Sequence, residues 1–84
     1  MRQSKTPLVF DGPVRYRIRV QGAVDGRWSD YLGGMHICYR SNTVEGPITT
    51  LTGLVIDQAS LMGILNCLYN LGRPLLSVEY LGDA

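Results

Sequence analysis

The fold of this chain is decided by residues 48–81, ITTLTGLVIDQASLMGILNCLYNLGRPLLSVEYL, which predict a strand, a helix and a second strand in succession. The helix is predicted over 58–71, because its apolar residues recur at steps of three and four and therefore share one face. These residues are Leu61, Ile64, Leu65, Leu68 and Leu71. We expect this stripe to pack on a sheet built from the strands predicted over 48–56 and 75–81.

Local signals define the ends of the predicted helix. Asp57 is placed to cap its first turn, because a carboxylate there can accept hydrogen bonds from backbone N–H groups that lack helical partners. Gly72 favours a left-handed stop, and Pro74 prevents the helix from continuing. Within the preceding strand, Gly53 indicates a bulge, a bend or the close approach of another backbone.

Upstream, strict alternation predicts a half-buried strand that begins at residue 14. One side of it carries Val14, Tyr16, Ile18 and Val20, and the other carries Arg15, Arg17, Arg19 and Gln21. Another strand is predicted over 35–40, with a turn over 41–47. Between these two strands, residues 28–32 suit a single helical turn, with Trp28 as an aromatic anchor against the sheet.

These elements predict an α+β fold: a three-strand antiparallel meander followed by a helix and a fourth strand, with one helix packed on one face of the sheet. The last strand can lie beside the first or the third, since both orders permit a right-handed crossover. We expect a flexible N-terminal segment over 1–13, a single domain over 14–81 and a tail over 82–84.

Composition narrows the class of protein. At 84 residues with 45% hydrophobic and 18% charged residues, the chain has room for one core and should fold. A formal net charge of +1 gives no overall attraction to nucleic acid or to an anionic membrane. The N-terminus lacks the apolar run of a secretory signal, so we expect a cytoplasmic protein with no membrane association.

No cofactor or metal signature is present in the sequence. Cys38 and Cys67 are too far apart for a redox CxxC pair, and we expect both to be reduced. His36 is the single histidine, so no set of four zinc ligands exists.

Several short motifs occur together in a fixed order. They are WSD at 28–30, TLTG at 50–53, DQA at 57–59, LMGIL at 61–65 and LGRPLLSV at 71–78. In this combination, from about Arg15 onward, the chain resembles a family of short, functionally uncharacterised prokaryotic proteins. The resemblance implies a bacterial or archaeal, cytoplasmic origin and a self-contained domain, and it implies no activity.

The predicted helix lacks Asp, Glu, Lys and Arg from residue 58 to residue 71, which is unusual for a helix with one face in water. Its side away from the leucine stripe has small or neutral residues that would let another backbone approach, and apolar residues beside them. We predict a partner interface there, formed by Ala59, Met62, Gly63, Asn66, Tyr69 and Asn70. The leading functional hypothesis is a protein-interaction or assembly module that acts as a homo-oligomer, most simply a homodimer. The alternative for the helix is a surface that happens to carry no charge.

A second hypothesis concerns an arginine stripe on the predicted sheet. Arg15, Arg17 and Arg19 project from one side of the first strand, and Arg40 can join them from a neighbouring strand. Such a stripe could bind nucleic acid or a small anionic ligand. Tyr16 alternates to the opposite face and cannot stack bases there, and pairing of the arginines with Glu79 is the simpler interpretation.

Catalysis is the third hypothesis and the least favoured. His36 and Cys38 are two residues apart on one strand face, so their side chains would be neighbours. No cleft, oxyanion site or orienting carboxylate is indicated beside them. We therefore predict that the protein is not an enzyme.

Overall fold

A computed structural model describes residues 13–83 of the chain. Its elements in chain order are β1 (Val14–Gln21), a 3₁₀ helix (Gly26–Leu32), β2 (His36–Thr43), β3 (Gly46–Val55), α1 (Gln58–Asn70) and β4 (Leu75–Asp83). The N-terminal segment predicted to be flexible lies outside the described residues, apart from Pro13. β4 continues two residues beyond its predicted end at Leu81, and so includes part of the predicted tail.

The predicted fold class is confirmed, because the structure is α+β with four antiparallel strands and one main helix. The strands lie in the order β2-β3-β1-β4. β3 is therefore the neighbour of β1. In a meander that follows the chain order, β2 would have that position. The last strand pairs with the first, which resolves the two orders that the sequence left open. The right-handedness of the β3-α1-β4 connection stays a prediction.

β1 lies inside the sheet, paired with β3 on one side and β4 on the other. Its alternating pattern separates the two faces of the sheet as predicted. The apolar residues of β1 are buried on the side covered by α1, which we call the helix face. Arg15, Arg17 and Arg19 lie on the other side, which we call the open face.

The core lies between the helix face and the leucine stripe of α1. Ile64 and Leu68 are buried, and Leu61, Leu65 and Leu71 are partly buried against the same cluster. Full burial of such a side chain contributes roughly 1.5–3 kcal/mol to folding. The predicted stripe is therefore the face that attaches α1 to the sheet.

The local signals at the helix ends and at Gly53 act as predicted. The Asp57 carboxylate accepts a hydrogen bond from the Ser60 backbone N–H at 2.7 Å. Gly72 has a φ of 74°, in the left-handed region, and α1 ends at Asn70, one residue before the predicted end. A Cβ on Gly53 would stand 3.2 Å from the Cα of Met35, so this glycine allows the close approach of another backbone.

The predicted helical turn is a 3₁₀ helix that packs over the β2 side of the helix face. Trp28 is partly buried against the core, and it lines a groove together with Tyr39 of β2. Just before this helix, Val24 is held by Thr49 of β3, whose hydroxyl accepts from the Val24 backbone N–H at 3.1 Å. The same hydroxyl donates to the Gly22 carbonyl oxygen at 2.7 Å. β2 itself runs to Thr43, three residues beyond its predicted end.

Candidate interaction surfaces

The outer surface of α1 carries all six residues of the predicted partner interface. Each of them is exposed: Ala59, Met62, Gly63, Asn66, Tyr69 and Asn70. The largest of the six side chains are also the most apolar, with Met62 49% exposed and Tyr69 79% exposed. No Asp, Glu, Lys or Arg occurs in α1, so its exposed surface is uncharged from end to end.

The six residues span a continuous arc of about 120° around the outside of the helix, because successive residues are about 100° apart. Gly63 lies on the same side as Ser60, and both line a shallow groove with Tyr31 of the 3₁₀ helix. Met62 and Tyr69 are seven residues apart and lie on the other side, next to the partly buried Leu65. We call Met62, Leu65 and Tyr69 the outer flank of α1.

The outer flank faces the β4 end of the sheet. The 3₁₀ helix lies over β2 at one end, and β4 lies at the other. Since Ser60 and Gly63 turn toward the 3₁₀ helix, the opposite side of α1 turns toward β4. The predicted interface therefore changes character across the helix, from a polar side with small residues near the 3₁₀ helix to an apolar side turned toward β4.

β4 carries a second apolar surface, which the sequence analysis did not identify as a site. Leu75 is 52% exposed, Leu76 is 41% exposed and Val78 is 38% exposed. Leu75 and Val78 pair with Val20 and Ile18, so both lie on the helix face, beyond the part that α1 covers. Residues 77–80 alternate polar and apolar side chains as β1 does, so the sequence pattern did not indicate that the apolar side of β4 would be exposed.

The open face carries the predicted arginine stripe. Arg17 is paired with Glu79 across β1 and β4, with 2.7 Å between Nε and Oε1. The hydrogen bond from Arg17 lowers the pKa of the Glu79 carboxyl, and the same bond raises the pKa of Arg17. Arg15 and Arg19 form no ion pair with any residue of the described part of the chain. Within the described residues, the stripe thus has one arginine in an ion pair between two that are in none, and Arg19 is still close enough to Glu79 to help lower the pKa of its carboxyl.

Arg40 lies on the open face but not beside the other three arginines. It is opposite Ile48, and Ile48 is opposite Gln21, so β3 separates Arg40 from β1. With about 4.8 Å between strands, its Cα is roughly 10 Å from that of its β1 counterpart. The four arginines are therefore spread over a broad cationic face, whereas the sequence predicted a compact stripe.

His36 and Cys38 share the open face, as their spacing predicts. Cys38 is opposite Thr50, which lies between it and Arg19. The carboxylate in the row of His36 belongs to Glu79, three strands away and already paired with Arg17. Within residues 13–83, neither residue has a neighbour that would orient or activate it for catalysis, and the absence of enzyme activity stays a prediction.

A groove of about 450 Å³ lies at the end of α1, and sequence analysis did not indicate it. Trp28, Tyr39, Leu71 and Arg73 are among the residues that line it. Arg73 is held there by a hydrogen bond from its Nε to the Ala23 carbonyl oxygen, at 2.8 Å. The residues come from four separate parts of the chain, so no local motif could have predicted the groove.

Between residues 13 and 83 there is no helix with the length and hydrophobicity that membrane crossing requires. In the same range, no three His, Cys, Asp or Glu side chains come together in a way that could hold a metal ion.

The fold and these surfaces define a small α+β domain with an open four-stranded antiparallel sheet and one main helix. The chain belongs to the family of the domain of unknown function DUF8691, whose model matches residues 15–79. This match is consistent with the uncharacterised family that the sequence motifs indicated. No curated protein and no solved structure matches the chain.

Proposed function

We propose that this protein is an interaction module that assembles as a homodimer through the uncharged surface of α1. The observation that carries the proposal is the exposure of Met62 and Tyr69 on a helix that has no charged residue. A helix with one face in water ordinarily presents charged residues there. Exposed apolar side chains on a surface of this kind are typical of protein interfaces, whose centres are poor in charge and rich in Met and Tyr.

A second copy of the chain is the partner that fits this surface best. A two-fold interface brings a patch against itself, so a charge near the axis would face a like charge, and a charge elsewhere would need its opposite within the same patch. A neutral apolar patch has no such repulsion and is complementary to itself. The small residues next to it, Ala59 and Gly63, leave room for a neighbouring chain; a Cβ on Gly63 would have no heavy atom within 4 Å.

The test is the oligomeric state of the full chain, measured by light scattering and sedimentation from low to high micromolar concentration. We expect a dimer. Met62→Lys and Tyr69→Lys should both shift the equilibrium toward monomer, because each would bring two like charges into the contact. Val44→Lys is the matched control, since Val44 is fully exposed in the turn between β2 and β3. A wild-type chain that stays monomeric at high micromolar concentration would exclude the proposal.

A second candidate is binding of a polyanion to the open face. The observation in its favour is that Arg15, Arg19 and Arg40 share this face without ion pairs in the described structure. Phosphate groups could be held there by charge and hydrogen bonding, in a salt-dependent manner. The tyrosines of β1 and β2 lie on the helix face, so this candidate does not include stacking of bases. Retention on heparin that falls with salt would support it, and lack of retention in low salt would rule it out.

A further inference from the structure

Among the described residues, nothing pairs with the outer edge of β4. β4 is nine residues long and stands at the end of the sheet, where its inner edge pairs with β1. No strand within residues 13–83 pairs with its other edge. The backbone N–H and C=O groups of that edge are therefore a template on which another strand can form a ladder.

This edge lacks most of the features by which proteins prevent such pairing, although irregularities of the β-bulge kind interrupt its ladder with β1 at two places. Edge strands are commonly protected by lysines, by inward-pointing charges or by being short. Between residues 75 and 82 the single charged residue is Glu79, and Arg17 of the same chain neutralises it. Two register shifts interrupt the ladder with β1, but the residues they leave without a register partner are Leu76 and Leu81, which are apolar and exposed.

The opposite edge of the sheet is different. β2 presents His36, Arg40, Ser41 and Asn42 as exposed side chains. A strand of this kind is polar and carries a charge, which discourages pairing with another chain. The contrast makes β4, and not β2, the edge that is suited to a partner.

We infer that the β4 edge pairs antiparallel with the β4 edge of a second copy of this chain, to give a continuous eight-stranded sheet. A two-fold pairing of identical edges joins both open strands at once and leaves none on that side of the assembly. Pairing centred on Val78 places Ser77 opposite Glu79 of the second copy. Moving the two-fold axis from Val78 to Glu79 would bring the two Glu79 side chains face to face, so charge favours the register centred on Val78.

This pairing deepens the proposed function and rests on it, because it says how the two copies of the homodimer meet. An axis perpendicular to the sheet places both α1 helices on the same face of the eight-stranded sheet. Leu75 and Val78 of both copies then form the floor of a trough between the two helices. The outer flanks, with Met62 and Tyr69, line its walls. One contact thus accounts for the two exposed apolar surfaces, on the helix and on the strand.

The test uses a pair of charge variants at the centre of the predicted register. Val78→Lys and Val78→Glu, each alone, should weaken dimerisation roughly tenfold or more, because two like charges would meet at the axis. An equimolar mixture of the two variants should restore a dimer that contains one copy of each. Rescue by mixing separates loss of the contact from loss of the fold. Val44→Lys and Val44→Glu, alone and mixed, are the matched controls and should leave dimerisation unchanged.

Hydrogen exchange on the wild-type chain gives a second readout that needs no variant. Amides of residues 75–82 should exchange more slowly as the concentration rises through the dimer range, while amides of β2 should not change. Gly63→Arg places a charge on the polar side of α1 and tests whether that side also takes part in the contact.

The outcomes separate this inference from the function on which it rests. A wild-type dimer that survives both Val78 variants, with no concentration-dependent protection of β4, would overturn the edge pairing and leave the homodimer standing. If Gly63→Arg alone broke that dimer, the contact would lie on the polar side of α1. A monomer at all concentrations would overturn both, and slow β4 exchange in that monomer would mean that another segment of the same chain covers the edge.

Discussion

Arg17 and Glu79 stand opposite each other on β1 and β4, and their side chains form an ion pair on the open face with 2.7 Å between Nε and Oε1. The pair has two consequences. It removes one of the charges of the cationic face, and it neutralises the one acidic side chain in the middle of β4. The same interaction therefore weakens the case for anion binding and strengthens the case for pairing through the β4 edge.

Glu79→Gln should increase the affinity of the open face for polyanions. The substitution leaves the charge of Arg17 uncompensated between Arg15 and Arg19, and so concentrates positive charge on β1. The salt concentration needed to elute the protein from heparin should rise. Arg17→Gln is the matched control and should lower it. If both variants and the wild type eluted at the same salt concentration, the open face would not be the surface that binds heparin.

Asp57→Asn should reduce the loss of stability in acid. The hydrogen bond from the Ser60 backbone N–H lowers the pKa of the Asp57 carboxyl in the folded chain. Its stabilisation is therefore complete above the pKa of the unfolded chain, and it disappears as the pH falls through the lower pKa of the folded chain. Asparagine also caps helices but does not titrate. Urea unfolding between neutral pH and pH 3 should give a flatter profile for the variant, and Asp57→Ala should be less stable than both at neutral pH.

Much of the fold was predictable because it depends on local patterns. The alternation of β1 sets which of its side chains are buried, and the leucine stripe sets the buried face of α1. Asp57 and Gly72 define the ends of the helix through hydrogen bonds and backbone conformations that involve only nearby residues. The order of the strands could not be predicted in the same way, because a period of two determines the faces of a strand but not its neighbours.

The insertion of β3 between β1 and β2 depends on contacts that no local pattern shows. Gly53 lets the Met35 backbone come close to β3, and Thr49 holds the segment that leaves β1 through its hydrogen bonds to Gly22 and Val24. For the candidate site, the exposed helix residues were predictable from a helical projection. The exposed face of β4 was not, because its exposure depends on the place of that strand at the edge of the sheet.

Thr49→Val should destabilise the fold by about 1–3 kcal/mol, the usual cost of leaving buried polar groups without partners. Thr49 is fully buried, and its hydroxyl is bonded to the Gly22 carbonyl and to the Val24 backbone N–H. Valine has the same shape but can satisfy neither group. Thr50→Val is the matched control, since Thr50 points to the open face, and it should change the free energy of unfolding by less than about 0.5 kcal/mol. Chemical denaturation measures the free energy of unfolding of both variants. Equal losses for Thr49→Val and Thr50→Val would mean that the segment after β1 is held by other contacts.

Substitution of two glycines by alanine should change stability in opposite directions. At Gly53 the new methyl group would stand 3.2 Å from the Cα of Met35, a backbone atom that cannot move aside without shifting the chain, so Gly53→Ala should cost about 1–3 kcal/mol. At Gly63 the methyl group would meet nothing within 4 Å, and alanine is the better helix former, so Gly63→Ala should add about 0.5–1 kcal/mol. Thermal and urea unfolding of both variants test this. If Gly53→Ala were neutral, β3 would not need a glycine for the approach of Met35, and the position of Met35 would have to be explained by other contacts, such as the hydrogen bond from the Ser29 hydroxyl to its carbonyl oxygen at 3.0 Å.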